Sequence, residues 1–292
     1  MNKRKPLALG WLRRLVGAKA SLIIGASVFG LIVLMCIFVP ILSPYAPDAL
    51  VARALQAPSL AHPFGTDGVG RDVFVRTFAG GRIDLVAAAV VAASVFIIGT
   101  TLGTLAGATR LGWLEGTLMR FVDAVIAFPT VILLLALVVV FGKVEAGGLA
   151  PAGLLAAMAG LMLVMWSSYA RMAHGQALAM RNSDFILATR VSGLSPLRVV
   201  MRHIVPGVAR VNLALAVGDL VLVAVILSSL PFLGVGVQPP AAEWGSIMYE
   251  GRGFLRQAWW ITLFPGAVLA LTGLSLSFMA DSLLDSRKKA TA

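Results

Sequence analysis

The sequence is short of charge, shorter still of acids, and nearly free of cysteine. Charged residues make up 13% of its 292 positions, whereas a soluble domain carries about a quarter. A globule of this size needs a polar surface that this composition cannot supply, so a bilayer is the solvent it fits. The one cysteine, Cys36, sits in an apolar run, which excludes a disulfide framework and a thiolate metal site. His62, His174 and His203 are scattered and form no ligand pair with a carboxylate, so no metal site is expected. No G-x-x-x-x-G-K-[ST] loop occurs, so the chain is not expected to hydrolyse ATP. No nucleophile stands at a usable spacing from a base, and neither catalytic residues nor a cofactor is expected.

What is present is a set of long uncharged stretches. A span needs about 20 helical residues. The uncharged or nearly uncharged stretches are Ala20–Pro47, Leu85–Thr109, Ala124–Gly142, Ala146–Ala170, Val211–Val237 (with Asp219 inside it) and Gln257–Ala280. The reading is an all-α polytopic membrane protein with six transmembrane helices. Its expected parts are an N-terminal tail (1–19), a first span (20–42) ending before Ser43-Pro44, an outer segment (43–84), a core of five further spans (85–283) and a short tail (284–292). The first span is longer than a signal-peptide h-region and no small-x-small site follows it, so it reads as a retained anchor.

The net charge of +11 is distributed as the positive-inside rule requires. Lys3, Arg4, Lys5, Arg13, Arg14 and Lys19 precede the first span. Arg171, Arg181, Arg190, Arg198, Arg202 and Arg210 fill the loop 171–210 against Asp184 alone, and Arg287, Lys288 and Lys289 follow the last span. With six spans these groups share one side, so both termini are expected in the cytoplasm. Topology accounts for the charge, and no nucleic-acid partner is expected.

The loop 171–210 carries its own punctuation. Ser183 or Asp184 stands where a helix begins, Gly193 where a left-handed residue ends it, and Ser195-Pro196 where a second one starts, running to His203 and stopping before Pro206. The expected product is a helix–glycine–helix elbow with one apolar side (Ile186, Leu187, Val191, Leu194) and basic flanks. It reads either as a handle for a soluble partner or as a solvated basic loop that only enforces topology. In the 43–84 segment, Asp67, Arg71, Asp72 and Arg76 alternate in sign. They read either as an ion-pair network pinning the segment to the second span or as a contact or gate at the outer mouth. Asp219 is an acid inside a span. It reads either as a pathway residue that meets a cationic amine or as an interfacial acid paired with Arg210 or a hydroxyl. Asp123, one turn from Arg120, reads as interfacial and structural. Gly99, Gly103 and Gly107 recur every four residues and point to a close helix–helix approach.

The stretch DFILATRVSGLSPLRVVMRHIVP (Asp184–Pro206) resembles the "EAA" loop of binding-protein-dependent ABC importer permeases, which reads E-A-A-x-x-x-G and later I-x-x-P or a near variant. Ala188, Gly193, Ile204 and Pro206 match, Thr189 replaces the second alanine, and the glutamate position holds Leu187. HPFGTDGVGRDVFVRTFAGGRIDL (His62–Leu85) is similar to the signature of the C-type permease subunit of dipeptide, oligopeptide and nickel importers. Gly65, Thr66, Asp67, Gly70, Arg71, Asp72, Arg76 and Arg82 fall in register, and Asp84 stands where serine is usual. PFLGVGVQPPAAEWGSIMYEGR (Pro231–Arg252) resembles a third family segment, although a glutamate usual one turn earlier is Leu227 here. Asp123–Pro129 and Asp281–Arg287 match more weakly.

The resemblance implies a type I ABC importer permease fold and a non-enzymatic subunit that forms half of a pathway for peptides or peptide-like solutes. It implies docking of the elbow (Asp184, Leu187, Ala188, Thr189, Arg190, Gly193, Ser195, Pro196, Ile204, Pro206) on an ATPase. The implied partners are a second homologous permease subunit in a heterodimer, two ATP-binding subunits, a periplasmic or lipid-anchored solute-binding protein and the lipid bilayer of the inner membrane. The alternatives are a nickel or other small-solute importer subunit and a self-sufficient secondary transporter, which inverted repeats and broken mid-membrane helices would mark.

Overall fold

The computed structural model describes residues 18–109, 112–142 and 150–290. The cations Lys3, Arg4, Lys5, Arg13 and Arg14 lie outside the described residues. So do Arg110, Lys143 and Glu145, which bound the uncharged stretches Leu85–Thr109, Ala124–Gly142 and Ala146–Ala170. The described chain is almost wholly helical, and its only β-type pairing is two isolated bridges, Leu50 with Arg71 and Thr66 with Asp72. The helices are α1 (Ala18–Leu42), α2 (Val73–Ala108), α3 (Gly112–Ala127), α4 (Thr130–Phe141) and α5 (Leu154–Arg181). Then follow α6 (Asp184–Val191), α7 (Pro196–Val199), α8 (Val205–Ser229), α9 (Trp244–Gly251) and α10 (Trp260–Ala290). Among them 5 are long and apolar enough to cross a membrane, or 6 when the bent pair α3–α4 is counted as one span.

That pair departs from expectation. The apolar stretch Ala124–Gly142 is not one continuous helix: α3 and α4 meet at an angle of 94°, with Phe128 and Pro129 between them. Pro129 has no N–H and disfavours helical geometry at Phe128, so the ladder cannot pass through. Composition shows an uninterrupted run there; the backbone obeys the proline.

The remaining helices run past the uncharged stretches used to find them. α2 begins at Val73 rather than near Leu85, because the Asp72 side chain caps it by accepting the Val75 N–H and the charges of its first turns are buried. α5 continues past Ala170 to Arg181, and α10 is helical to Ala290, through the stretch expected as a tail. α8 ends at Ser229 in a tight turn, Leu230–Leu233, closed by Gly234 in the left-handed region (φ 77°).

The interior is built on α2, which packs on α1, α5 and α8. Val91 and Val95 of α2, Leu134 and Val138 of α4, Leu161 of α5 and Val223 of α8 are buried in one cluster. The α2–α5 approach is set by glycine. A Cβ on Gly99, Gly103 or Gly107 would lie 2.4, 2.1 or 2.5 Å from the backbone oxygens of Trp166, Ala170 and His174. Two four-residue rows therefore run against each other with main chains in contact. Large apolar side chains such as Ile23, Leu31, Phe38 and Leu42 of α1 stay exposed on the outside of the bundle, where a bilayer covers them.

Candidate functional site

Three places gather the residues singled out in the sequence. The first is the elbow between α5 and α8. α6 ends at Gly193, whose φ is 83°. The Leu194 N–H reaches back to the Thr189 oxygen at 3.4 Å and the Ser192 N–H to the Ala188 oxygen at 3.0 Å, a Schellman-type stop. Ser195 occupies the N-cap position of α7 with Pro196 next, but its hydroxyl makes no capping bond. The Ser183 hydroxyl likewise turns back to the Met180 oxygen (2.8 Å) rather than capping α6, and Asp184 is exposed on its first turn.

Pro206 does not end the second helix as expected. Residues Val200–Ile204 form a π-type turn, with the Val205 N–H bonded to the Val200 oxygen, and Pro206 lies in the first turn of α8. A widened turn removes the need for the N–H that proline lacks. The elbow is thus continuous with the spanning helix α8.

The two sides of the elbow differ. Ile186, Val199, Ile204 and Val208 are fully buried against Ala173 and Ala177 of α5. Phe185, Leu187, Val191, Leu197 and Met201 stay exposed, Val191 at 90% and Leu197 at 72%, beside exposed Arg198, Arg202 and Arg210. Ile186 and Leu194 therefore belong to the inner face, not to the free apolar side read from the sequence. Thr189 bonds back to the Ile186 oxygen (2.8 Å), and Ala188 is exposed. The Arg190 side chain lies outside the described residues.

The second place is the non-helical segment 43–72 and the residues that clamp it. Gly65 (φ 71°) and Gly70 (φ 96°) make its turns, and a Cβ on Gly70 would lie 2.2 Å from the Ala52 oxygen. The Thr66 hydroxyl donates to the Arg53 oxygen (2.7 Å) and accepts the Gln56 N–H (2.9 Å), and the Thr66 oxygen accepts the Trp260 indole N–H at 3.1 Å. One Asp67 oxygen takes the N–H groups of Val69, Gly70 and Arg71, and the other takes Arg71 Nε at 2.6 Å. Arg71 also donates to Glu250 at 2.6 Å. Asp72 meets His62 Nδ1 at 2.7 Å. Arg76, at 0% exposure, donates to Asp48 (3.0 Å), to the Pro47 and Pro240 oxygens (3.3 Å each) and to Glu250 (3.5 Å). Arg82 is exposed and takes no part in this clamp.

The third place is inside the bundle. Asp219 on α8 is half-buried and accepts the Tyr169 hydroxyl of α5 at 2.5 Å; its partner is that hydroxyl, not Arg210. Asn212 is buried and links α8 to Thr100 of α2 (2.9 Å) and to Gln176 of α5 (3.4 Å). Asp123 pairs with Arg171 of α5 rather than with Arg120, and His174 meets Glu115 at 2.9 Å. Among the described residues no group of His, Cys, Asp and Glu could hold a metal ion.

Sequence reasoning missed Asp48, Glu250, Tyr169 and Glu243. Glu250 lies 179 residues from Arg71, and no local pattern reports such a pairing. Glu243 alone had a local signal: with Ser246 three residues on, it forms a capping box for α9.

Residues 99–289 match the family described as "Binding-protein-dependent transport system inner membrane component", and residues 11–63 match "N-terminal TM domain of oligopeptide transport permease C". A putative peptide permease protein of Brucella suis biovar 1 is 35% identical over 272 residues, covering 89% of this chain and 86% of that one. The probable D,D-dipeptide transport system permease protein DdpC of Escherichia coli K12 is 35% identical over 265 residues, covering 89% and 84%. A solved structure of the MetNI methionine ABC transporter in inward-facing conformations shares the fold, with a TM-score of 0.57 and 23% identity over 71% of this chain and 94% of that one.

Proposed function

Because the chain belongs to the family of binding-protein-dependent transport system inner membrane components, we propose that it forms half of the translocation pathway of an ATP-driven importer for peptides or peptide-like solutes. It is a multi-pass inner-membrane permease subunit and not itself an enzyme; ATPase and substrate-binding subunits act with it. The other half of the pathway comes from a second, homologous permease. Two ATP-binding subunits drive the pair, and a periplasmic or lipid-anchored binding protein delivers the solute.

The observation that carries this reading is the two-sided elbow. Its inner face is anchored to α5, and its outer face is apolar, exposed and flanked by arginines. Five large apolar residues gathered on one exposed face and flanked by cations mark an interaction surface. We place this face in a cleft of an ATP-binding subunit, on the cytoplasmic side with both termini. The backbone continuity of the elbow with α8 then carries the motor's motion into the span. The clamp on segment 43–72 lies on the periplasmic side. Asp219 faces the pathway, since a half-exposed carboxylate on a spanning helix is costly against hydrocarbon.

The test is the double variant Val191→Asp with Leu197→Asp. Burying an apolar side chain of this size is worth about 1.5–3 kcal/mol, so a charge in place of each of the two is expected to weaken association with the ATP-binding subunits by at least about a hundredfold. Co-purification and nucleotide-driven uptake should be lost while the melting temperature of the isolated permease stays unchanged, because both side chains are free in it. Undiminished association would contradict the proposal.

A further inference from the structure

Asp84 of α2 and Glu243 at the start of α9 are both removed from solvent, at 0% and 1% exposure. Glu243 is the N-cap of α9: one carboxyl oxygen accepts the Gly245 N–H at 2.8 Å, the other accepts the Ser246 N–H at 2.7 Å. One Asp84 oxygen, Oδ2, accepts the Trp244 N–H at 3.0 Å. The last of the four oxygens, Asp84 Oδ1, is buried without a hydrogen-bond partner. The backbones are close here, since a Cβ on Gly80 would lie 3.0 Å from the Glu243 Cα.

Two carboxylates buried side by side cannot both stay ionised. Three of these oxygens already accept main-chain N–H groups. Asp84 Oδ1 is the one oxygen of the four with no N–H donor in front of it, and so the one where a proton meets least opposition. We propose that Asp84 holds a proton on Oδ1 and donates it to Glu243, so that the singly protonated pair is a clasp fastening α9 and its following turn onto α2. Burial pushes the Glu243 carboxyl above its ordinary value, against the opposing pull of the Gly245 and Ser246 N–H groups and of the neighbouring Asp84. The other groups facing the pair are the Cys36 thiol from α1, the Ser228 hydroxyl from α8 and Ser246 of α9 itself. No cationic side chain among the described residues acts on either acid.

The sign of the pH dependence follows. An unfolded chain releases carboxyl protons near pH 4, whereas the folded clasp keeps one to higher pH. The folded state therefore binds more protons across that interval, and stability falls as pH rises through it. Once the clasp loses its proton, two charges remain in the same pocket and α9 loosens.

The experiment needs no transport assay, so it is independent of the proposed function. The chain in lipid nanodiscs, carrying Asp219→Asn to remove a further half-buried acid, is examined by infrared spectroscopy at neutral pH and by thermal unfolding from acid to alkaline pH. The expected result is a protonated-carboxyl band that disappears on adding Asp84→Asn. The parent's melting temperature should fall by several degrees toward alkaline pH, while the Asn variant, whose amide N–H replaces the acid O–H, stays level. A parent without that band at neutral pH, a band that survives Asp84→Asn, or melting curves that run parallel would overturn the clasp. If the Asn variant does not insert, Asp84→Ser takes its place, with the same loss of the band expected and the same survival of the band overturning the clasp.

Discussion

Gly193→Pro is expected to lower solute-stimulated ATPase activity of the reconstituted complex about a hundredfold while the subunit still inserts in the membrane. Gly193 holds φ at 83°, and proline is fixed near −65°. The elbow cannot keep its stop after α6, and α7 swings away from the position in which its apolar face is presented. The penalty for proline in an incompatible position is about 3 kcal/mol, which corresponds to roughly a hundredfold loss of the docked geometry. Gly193→Ala provides the control. A Cβ there meets nothing within 4 Å, so its only penalty is the left-handed backbone, about 1–2 kcal/mol, and the loss should be about tenfold. Wild-type stimulated ATPase in the proline variant would show that the bend has no part in coupling.

Arg76→Met is expected to destabilise the whole permease by about 3–5 kcal/mol, the range for removing one partner from a buried charge network. Arg76 lies within 4 Å of carboxylate oxygens of Asp48, Asp67 and Glu250, and its loss leaves them facing one another beside Arg71 alone. The melting temperature should drop on the order of 10 °C. Arg76→Lys should recover only part of it, since an ammonium cannot fork between Asp48 and Glu250 as the guanidinium does. A melting temperature within a degree or two of wild type would mean that the clamp on segment 43–72 rests on its glycine turns and Thr66 instead.

Much of the elbow was legible because its determinants are local. Gly193 and Ser195-Pro196 punctuate the chain within a few residues, and local chemistry fixes such turns wherever the rest of the fold goes. The spans were legible because an uncharged run has few other uses. Where reading by composition failed, a backbone effect overrode it. Pro129 splits a run that looks continuous, and the π-type turn carries Pro206 into α8 where a stop was expected. The helix starts were misjudged for a related reason. Charge marks the end of a span in a reading by composition, but Arg76 and Asp84 are buried among partners from residues 47–48 and 240–250, and a polar side chain held by such partners does not stop a helix. Those partners are remote in sequence, so the clamp and the Asp84–Glu243 clasp become visible only once α2 and α9 are side by side.

Everything asked of the elbow depends on which side of the membrane it occupies and on what covers it there. The most direct measurement is labelling of Val191→Cys, in a Cys36→Ala background, with a membrane-impermeant maleimide. The account predicts no labelling in intact cells, rapid labelling in inside-out vesicles containing the permease alone, and protection when the ATP-binding subunits are present. Rapid labelling from outside intact cells would contradict it.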